Sequence, residues 1–579
     1  MQLLSVAKTS LFRSLLFFLY MLPAVGFVWL VMGPFASDLE SKNSRAGLFI
    51  AVALVGTLLF VLCRPKTGWL AAMAWTMLVY GGVYKIATFI PDVSSYPWSL
   101  GWSEGSRYYF ASLFYSSDVY GLRVPPSVLH PTRYLMQSLP FLLPDAPLWL
   151  HRLWQVVLWL GVSFWTGIAL SRRFKAGWGF VLFSFLFLFQ GPVYYHLLVI
   201  VLLVSWGVNH RYPIRTLLVV VAASLWAGIS RINWFPMPGM LAAVLYFIEV
   251  PVGQKSLLRY MLPPTAWVLL GIGIAFLAQY GYIYWSGNPV EQFGSSLTSD
   301  LLWYRLWPNA TYGPGLLRSV WRISFPVLLI LLARWLPNWN RFHPLRILGM
   351  FAAITILLLG GIVVSVKIGG GSNLHNLDAY LVILLVVGAG FYYHKAAPEP
   401  PDATYPASPL RASGSLWPLV FFVLLFPLRD LTQVGGALPR YNFATAEHEV
   451  AVLRNYIQHT ARSGGEILFI DQRHLLSTKI ISGVPLVADY EVVFLMEMVM
   501  GNNQVYLERF HQDLRAWRFA SIVIGTPVVH YQDQDFAFPE ENNKWVEQVA
   551  VPLLCFYKPE VQLPDSGMSI LIPRELPCQ

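Results

Sequence analysis

The sequence predicts a mostly α-helical bundle that crosses a membrane many times and carries a small α/β domain at its C-terminal end. Of its 579 residues, 56% are hydrophobic and only 12% are charged, and the mean hydropathy is +0.54. Soluble domains carry roughly 25% charged residues because their surfaces face water. Apolar runs recur from residue 11 to residue 428, and a more polar composition follows. These observations exclude an ordinary soluble enzyme and a disordered chain.

About thirteen apolar stretches are predicted to span the membrane, because a helix needs roughly 20 apolar residues to cross the hydrocarbon. The first stretch follows Lys8 and Arg13 and is longer than the core of a typical signal peptide, so we interpret it as a retained signal anchor. The predicted spans are 14–33, 46–63, 67–89, 148–170, 177–192, 194–208, 215–230, 236–250, 260–284, 317–334, 347–366, 378–394 and 416–430.

Basic residues determine the predicted orientation, since cytoplasmic loops carry an excess of Lys and Arg. With a cytoplasmic N-terminus, every cytoplasmic loop has at least two of them, as at Arg172 and Arg173. We therefore expect a multi-pass protein of the plasma (inner) membrane with its C-terminal domain outside the cytoplasm. These loops also account for the net charge of +10. Membrane lipids, and no nucleic acid, are the partners expected for the basic residues.

Composition divides the chain into four parts. Residues 1–394 are the predicted transmembrane core, and 395–415 are a Pro- and Ala-rich cytoplasmic linker. Residues 416–430 are the last predicted span. The remainder, 431–579, is predicted to be an extracytoplasmic α/β domain because strand and helix patterns alternate along it.

Within the α/β domain the pattern predicts a helix, three strands and further helical stretches. The helix is expected at 443–462, the strands at 466–470, 484–488 and 521–525, and the helical stretches around 493–516. The chain has three cysteines. Cys555 and Cys578 could form a disulfide if this domain lies outside the cytoplasm, but two free thiols are the simpler expectation.

A long loop at 90–147 separates the third and fourth predicted spans. Its length of about sixty residues far exceeds the usual connection, and such loops are generally functional. Aromatic residues recur at helical spacing over 106–120, which predicts a helix lying in the membrane interface. Residues 132–143 are predicted to form a second interfacial helix.

Three segments resemble a known superfamily when they are taken together. The long loop contains EGSRY at 104–108 and LHPTR at 129–133, and a late external loop contains KIGGGSNLH at 367–375. This arrangement resembles the GT-C membrane glycosyltransferases, in particular the family-39-like and aminoarabinose-transferase-like enzymes. Their first segment often runs Asp-Glu-x-Arg-Tyr. Aligning on Arg-Tyr puts Glu104 where those enzymes have a catalytic Asp, with a side chain one methylene longer.

The resemblance implies a GT-C-like fold and an inverting transfer of a sugar from a polyprenyl-phosphate-linked donor to an extracytoplasmic glycan, lipid or protein acceptor. Such a transfer needs a carboxylate that activates the acceptor hydroxyl and cations that bind the departing phosphate. Glu104 is the predicted catalytic carboxylate, and Asp118 ranks second. The predicted phosphate ligands are Arg107, His130, Arg133, Arg231 and Lys367, and the predicted acceptor-loop residues are Asn373 and His375.

Simpler interpretations and other functions stay open from the sequence alone. Glu104 precedes a predicted helix, where a carboxylate is favoured by the helix dipole, and Arg107 and Arg133 could simply extend to lipid headgroups. No cofactor is assigned. A divalent metal is compatible with the pattern, although no metal-ligand motif supports it. The alternative functions are a transporter or flippase for lipid-linked glycans, and an O-antigen ligase- or polymerase-type protein. Few charges lie in the middle of spans, which favours the enzyme over a transporter.

Overall fold

The computed structural model describes residues 2–367, 374–401, 416–433 and 438–578. Helices form most of this part of the chain, as predicted. Up to residue 431 they are α1 (Gln2–Met32), α2 (Lys42–Cys63), α3 (Trp69–Ala87), α4 (Glu104–Ser112), α5 (Ser116–Tyr120), α6 (Pro131–Gln137), α7 (Leu148–Phe174), α8 (Trp178–Leu188), α9 (Tyr195–Gly207), α10 (Pro213–Gly228), α11 (Met237–Glu249), α12 (Leu257–Ser286), α13 (Ser295–Thr298), α14 (Leu316–Trp335), α15 (Pro344–Lys367), α16 (Asp378–Tyr392) and α17 (Trp417–Leu431).

Eight helical segments in the described residues are long and apolar enough to cross a membrane, which confirms a multi-pass membrane protein. All thirteen predicted positions carry a helix, but five of these helices are short. Their lengths are 11 residues in α8, 13 in α9, 16 in α10, 13 in α11 and 15 in α17. A 13-residue helix rises only about 20 Å, less than the hydrocarbon thickness of about 30 Å. The count of thirteen full spans is therefore not established.

The centre of the bundle is formed by α11 and α16. The span ending in α16 is 94% buried, whereas those containing α2 and α12 are only 22% buried. α11 is buried from Met237 to Ile248. Because protein instead of lipid surrounds α11, its length need not match the bilayer. The first residue of α16 is the buried Asp378.

The long loop folds into short helices, as predicted, but its first helix is covered by protein. Nearly all of α4 is buried, and Tyr109 and Phe110 belong to one hydrophobic core with Leu453 and Phe469 of the C-terminal domain. The aromatic spacing at 106–120 therefore reflects packing between two parts of the protein. After α6, in contrast, large apolar side chains such as Leu142 are exposed, which agrees with the predicted second interfacial helix.

The C-terminal part forms a small α/β domain, as predicted. Its four-stranded sheet has the order β1-β2-β4-β3, in which β1 and β2 are parallel and the other two pairs antiparallel. The elements are α18 (Phe443–Arg462), β1 (Ile467–Phe469), α19 (His474–Ser477), α20 (Val492–Met500), α21 (Gln504–Arg515), β2 (Ser521–Gly525), α22 (Pro539–Trp545), α23 (Val551–Phe556), β3 (Tyr557–Leu563) and β4 (Met568–Pro573).

Two details of this domain differ from the prediction. Residues 484–488 form no strand, and Pro485 within them has no N–H to donate to a sheet. The carbonyls of Ala488 and Asp489 instead accept hydrogen bonds from Arg473. The β3–β4 hairpin was not predicted, although it supplies half of the strands.

The described start of the predicted linker is anchored to the bundle. Glu399 is buried, and its Oε1 lies 2.8 Å from Nη1 of Arg346. Its Oε2 accepts a hydrogen bond of 2.9 Å from the amide of Gly253. Residues 395–401 therefore pack with the transmembrane core, while 402–415 lie outside the described residues.

The C-terminal domain also contacts the loop between α12 and α14. Arg305 of that loop is 1% exposed, and its Nη2 lies 2.7 Å from Oε2 of Glu541. Lys544 Nζ lies 2.8 Å from Oδ2 of Asp300. We call the side of the bundle that carries these contacts the domain side.

Cys555 and Cys578 form a disulfide, so the expectation of two free thiols was wrong. Disulfides persist in oxidising compartments and are rare in the cytosol. With the domain outside the cytoplasm, a maleimide reagent added to denatured protein from cells should modify these cysteines only after reduction. Cys63, which is free, is the internal control, and Cys555→Ser should release the thiol of Cys578. Modification of the wild-type pair without reduction would contradict the predicted orientation.

Candidate functional site

Glu104, the first residue of α4, is buried against Arg152 of α7. Nε and Nη2 of Arg152 each lie 3.0 Å from one carboxylate oxygen, so the pair is bidentate. The amide of Leu100 donates a further hydrogen bond of 2.6 Å. Burial acts to raise the pKa of Glu104, but the hydrogen bonds and charge of Arg152 outweigh it and hold that pKa below its usual value. Glu104 is thus an ionised side chain whose two oxygens are already engaged.

Arg152 was missed by the sequence analysis, although it organises the start of the long loop. Its Nη1 donates to the carbonyls of Ser94 and Tyr96 at 2.7 and 2.6 Å, and its Nη2 donates to that of Trp98 at 2.9 Å. An arginine five residues into an apolar helix is a sequence signal for such a role, because an unpaired charge there is costly. Together with Glu104, Arg152 fixes α4 to α7.

Six cationic or titratable side chains meet on the domain side of the bundle, and we call them the cationic cluster. Five of them are predicted site residues that lie far apart in the sequence. Their contacts and mutual electrostatic effects place them around Tyr194 and Tyr195. The members are Arg107, His130, Arg133, His196, Arg231 and His375.

Two histidines of the cluster contact Tyr194, and the third, His130, lies against one of them. The ring centroids of His196 and His375 lie 5.7 and 5.9 Å from that of Tyr194, and the centroids of His130 and His196 are 6.1 Å apart. Burial, together with the charges of nearby arginines including Arg133, lowers the pKa of His130 to about 3. His130 is therefore neutral at physiological pH, and the positive charge of the cluster comes from its arginines.

Two arginines of the cluster have buried nitrogen atoms that the protein does not use. The guanidinium of Arg133 lies 4.6 Å from the ring centroid of Tyr194. Arg107 and Arg133 both act electrostatically on Tyr134 and Tyr195. Nε of each arginine is buried without a hydrogen-bond partner among the described residues. Because buried donors are normally satisfied, these nitrogens indicate a missing acceptor.

The third arginine, Arg231, is held in place by α16 and the turn before it. Its Nη2 donates to Oδ1 of Asn376, and its Nη1 lies 3.4 Å from the carbonyl of His375. Asp378 is fully buried, and its Oδ1 accepts a hydrogen bond of 2.8 Å from Trp234. Its Oδ2 lies 4.0 Å from Nη1 of Arg231. Asp378, which the sequence analysis missed, therefore balances one of the three arginine charges.

His130 has a strained backbone at the start of α6. Its φ is 47°, a left-handed conformation that costs energy in residues other than glycine. Nδ1 of its ring lies 3.4 Å from the carbonyl of Ser230, and Thr132 Oγ1 lies 2.6 Å from Ser230 Oγ. These contacts join α6 to the end of α10, and they explain how His130, Arg133 and Arg231 come together.

The remaining predicted site residues have other surroundings. Lys367 ends α15, and its Nζ donates to the carbonyl of Ser299 at 3.2 Å. Asp118 lies exposed on α5 and has no ion pair in the described part of the chain. Asn373 lies outside the described residues. Of the two predicted carboxylates, Glu104 is therefore buried and paired, and Asp118 is exposed.

Asp92 is a carboxylate that the sequence analysis did not single out. It lies just beyond α3, its side chain is exposed, and the charges of Glu104, Arg107 and Lys85 act on it. Among the described residues no hydrogen bond or ion pair occupies its carboxylate. The sequence signal was its position where a span meets the long loop. Asp92 thus combines access to solvent with proximity to the cationic cluster.

The C-terminal domain reaches the same region through Glu491. This buried carboxylate accepts hydrogen bonds from Ser106 Oγ and from the first amides of α20. Burial raises its pKa despite the opposing charge of Arg473. The guanidinium of Arg473 in turn lies 4.7 Å from the ring centroid of Tyr109. Since Ser106 precedes Arg107, the domain helps to fix an arginine of the cluster.

The comparisons with known proteins give no family. No protein-family model matches the chain, and no curated protein matches it. The likeness to GT-C enzymes therefore stays a resemblance based on the segments at 104–108 and 129–133. Within the described residues, no group of three or more His, Cys, Asp or Glu is arranged to hold a metal ion.

His474 provides a pH test of the contact between α4 and the C-terminal domain. Its Nε2 lies 2.8 Å from the carbonyl of Pro97, and burial lowers its pKa to about 4. Unfolded chains take up this proton below about pH 6.5, so unfolding is favoured there. The stability that neutral His474 contributes is complete above pH 6.5 and is lost as the pH falls towards 4.

We expect the thermal unfolding temperature to fall between pH 7 and pH 5, and to fall less in His474→Gln. Differential scanning fluorimetry of the purified chain at several pH values measures both slopes. His448→Gln, on the exposed surface of α18, is the control and should keep the wild-type slope. Equal slopes in the wild type and His474→Gln would contradict the assignment.

Proposed function

We propose that this protein is an integral-membrane glycosyltransferase that uses a polyprenyl-phosphate-linked sugar donor. The observation that carries the proposal is the cationic cluster. Among the described residues, Arg231 has the carboxylate of Asp378 within 4.0 Å, and no ion pair joins Arg107 or Arg133 to a carboxylate. Buried charges are normally paired. The excess positive charge and the unused nitrogens of Arg107 and Arg133 therefore favour an anionic ligand at this place.

A phosphate is an anion that suits the cluster. Arginine binds phosphate oxygens through paired N–H donors, and the three guanidinium groups come from α4, α6 and the turn after α10. Such fixed cations stabilise the charge that develops on a departing phosphate. The helices around the cluster are apolar, and exposed leucines follow α6, which suits a lipid tail attached to that phosphate.

The transfer proceeds by direct displacement at the anomeric carbon. The acceptor hydroxyl attacks this carbon from the face opposite the phosphate. The bond between carbon and phosphate oxygen breaks, and its electron pair stays on the phosphate, where the arginines neutralise the charge. The hydroxyl proton passes to a carboxylate, and the configuration at the anomeric carbon inverts. Asp92 is our candidate for this base because its carboxylate is exposed and lies near Arg107.

Glu104 has a positioning role in this mechanism. Both of its oxygens are bound to Arg152, so accepting a proton would break a buried ion pair. By holding α4 against α7, Glu104 orients Arg107, which follows it by one helical turn. The cytoplasmic N-terminus and extracytoplasmic active site expected from the basic loops are part of the proposal, and the Cys555–Cys578 disulfide supports them.

Arg133→Gln is expected to lower kcat/KM for sugar transfer by roughly 10²- to 10³-fold, the usual cost of removing one charge-stabilising donor. The assay measures transfer from a panel of radiolabelled polyprenyl-phosphate sugars by the full chain in vesicles. Arg123→Gln is the matched control, because Arg123 is exposed on the same loop, and it should retain activity.

Two results would overturn the proposal. One is transfer by Arg133→Gln at the wild-type rate. The other is movement of the labelled lipid across the bilayer without transfer of its sugar, which would favour a flippase.

A further inference from the structure

An apolar cavity of about 320 Å³ lies inside the bundle, between α3, α8, α14, α16 and α17. Aliphatic and aromatic side chains and glycines line it, among them Ala74, Gly179 and Tyr392. Its volume falls in the range of about 300 to 1,000 Å³ that is typical of small-molecule sites. The cavity is partly open to the outside of the bundle, so a molecule can enter it from there.

The cavity lies at the opposite end of the helices from the cationic cluster. Asp378, which lies beside Arg231 of the cluster, begins α16, whereas the cavity is lined by residues between 385 and 393. Asp378 and Tyr392 are the two ends of a 15-residue helix, about 21 Å apart at 1.5 Å per residue. On α3, likewise, Trp75 lines the cavity and Lys85 lies towards the cluster. The cavity is therefore displaced along the helices from the proposed donor site, away from the domain side.

Cationic side chains lie beside the part of the cavity that Tyr392 lines. The guanidinium of Arg334 is 5.3 Å from the ring centroid of Tyr392, which forms part of the lining. Lys395 follows three residues later, and the charges of Arg334 and Lys395 both act on His394. An apolar cavity with cations beside its lining is complementary to a molecule with an apolar chain and an anionic head.

We propose that this cavity binds one acyl chain of an anionic phospholipid, with its phosphodiester headgroup beside Arg334 and Lys395. The lipid comes from the leaflet opposite the C-terminal domain, which is the cytoplasmic leaflet in the predicted orientation. Burial of the chain removes the void and adds dispersion contacts, and interfacial cations attract anionic headgroups. Trp75 and Trp417 in the lining suit this depth, because tryptophan favours the membrane interface.

The site does not depend on the proposed transfer reaction. Its occupant would brace α3, α14, α16 and α17 from the side opposite the cluster. The test therefore uses lipid binding as its readout, so a failure of the transferase proposal leaves it unaffected.

The experiment measures which phospholipids stay bound to the full chain. The protein is reconstituted in vesicles of equal parts phosphatidylglycerol and phosphatidylcholine, extracted in a mild detergent, and examined by native mass spectrometry. The wild type should retain one phosphatidylglycerol per chain, enriched over phosphatidylcholine by roughly 30-fold, the preference expected from two interfacial cations. Equal retention of the two lipids, or retention of neither, would overturn the proposal.

Two kinds of variant test the cavity lining and the neighbouring cations separately. Gly179→Leu should fill the cavity and abolish retention, because a Cβ at this position makes ordinary contacts with Trp75 and Leu78 and the longer side chain extends into the void. Gly161→Leu is the control, since Gly161 faces open space on α7. Retention by Gly179→Leu at the wild-type level would contradict the site.

The charge variant leaves the cavity lining intact and therefore tests the proposal even if Gly179→Leu folds poorly. Arg334→Gln combined with Lys395→Gln should remove the preference for phosphatidylglycerol. The control combines Arg211→Gln with Arg215→Gln, two exposed arginines just before and in the first turn of α10, and should keep the preference. Loss of the preference in both double variants would show that it reflects general surface charge, and would overturn the assignment.

Discussion

Asp92→Asn is expected to lower the rate of sugar transfer by about 10²- to 10⁴-fold, the usual contribution of a general base. Asparagine keeps the size of the side chain but cannot accept the proton of the acceptor hydroxyl. Donor binding should change little, because the cationic cluster is untouched. The measurement is kcat and KM for the labelled donor, and the loss should appear in kcat.

Asp118→Asn is the matched control for this substitution. Both carboxylates lie in or beside the long loop and both are exposed, but Asp92 is the one on which the charge of Arg107 acts. We expect Asp118→Asn to keep nearly full activity. The reverse outcome, with Asp118→Asn inactive and Asp92→Asn active, would return the role of base to a residue chosen from the sequence.

Much of the cationic cluster could be predicted because membrane topology restricts where a residue can lie. His130, Arg133 and Arg231 come from loops on the same side of the predicted bundle. Charged side chains are costly inside the hydrocarbon, so residues of this kind gather at the ends of helices. The predicted topology therefore puts these three residues at the same level of the bundle. Packing of α6 against the end of α10 brings them close together.

The partners of the predicted carboxylate could not be predicted in the same way. Glu104 and Arg152 are 48 residues apart, and only the packing of α4 on α7 makes them neighbours. Without that information a carboxylate in a long external loop suggests catalysis. Asp92 was missed for the converse reason, because a single Asp at the end of a span looks like an ordinary boundary residue.

The fold shows the same division between local and long-range information. Hydropathy identified a helix at every predicted span, but it could not tell that α11 is enclosed by other helices and need not be long. In the C-terminal domain, the strand predicted at 521–525 forms with the same bounds, as β2. The strand predicted at 484–488 failed because its neighbouring carbonyls bind Arg473, a contact that depends on the folded domain.

Arg152→Met is expected to destabilise the protein by about 3 to 5 kcal/mol, the usual cost of removing one partner of a buried ion pair. The substitution leaves the carboxylate of Glu104, 4% exposed, without its two charged donors. It also releases the carbonyls of Ser94, Tyr96 and Trp98 from their common donor. The measurement is the shift in the thermal unfolding temperature of the purified chain. The fraction of donor binding that remains is a second readout.

The double variant Glu104→Gln/Arg152→Met tests whether the loss comes from an uncompensated charge. Removing both charges should recover part of the stability that Arg152→Met loses, because the buried carboxylate is no longer left unpaired. Lys479→Met is the control: its ion pair with Asp145, at 2.7 Å, is exposed, and such pairs contribute little. If the double variant is as unstable as the sum of its single variants, Glu104 and Arg152 act independently. The positioning role given to Glu104 would then fail, and its carboxylate would again be available for catalysis.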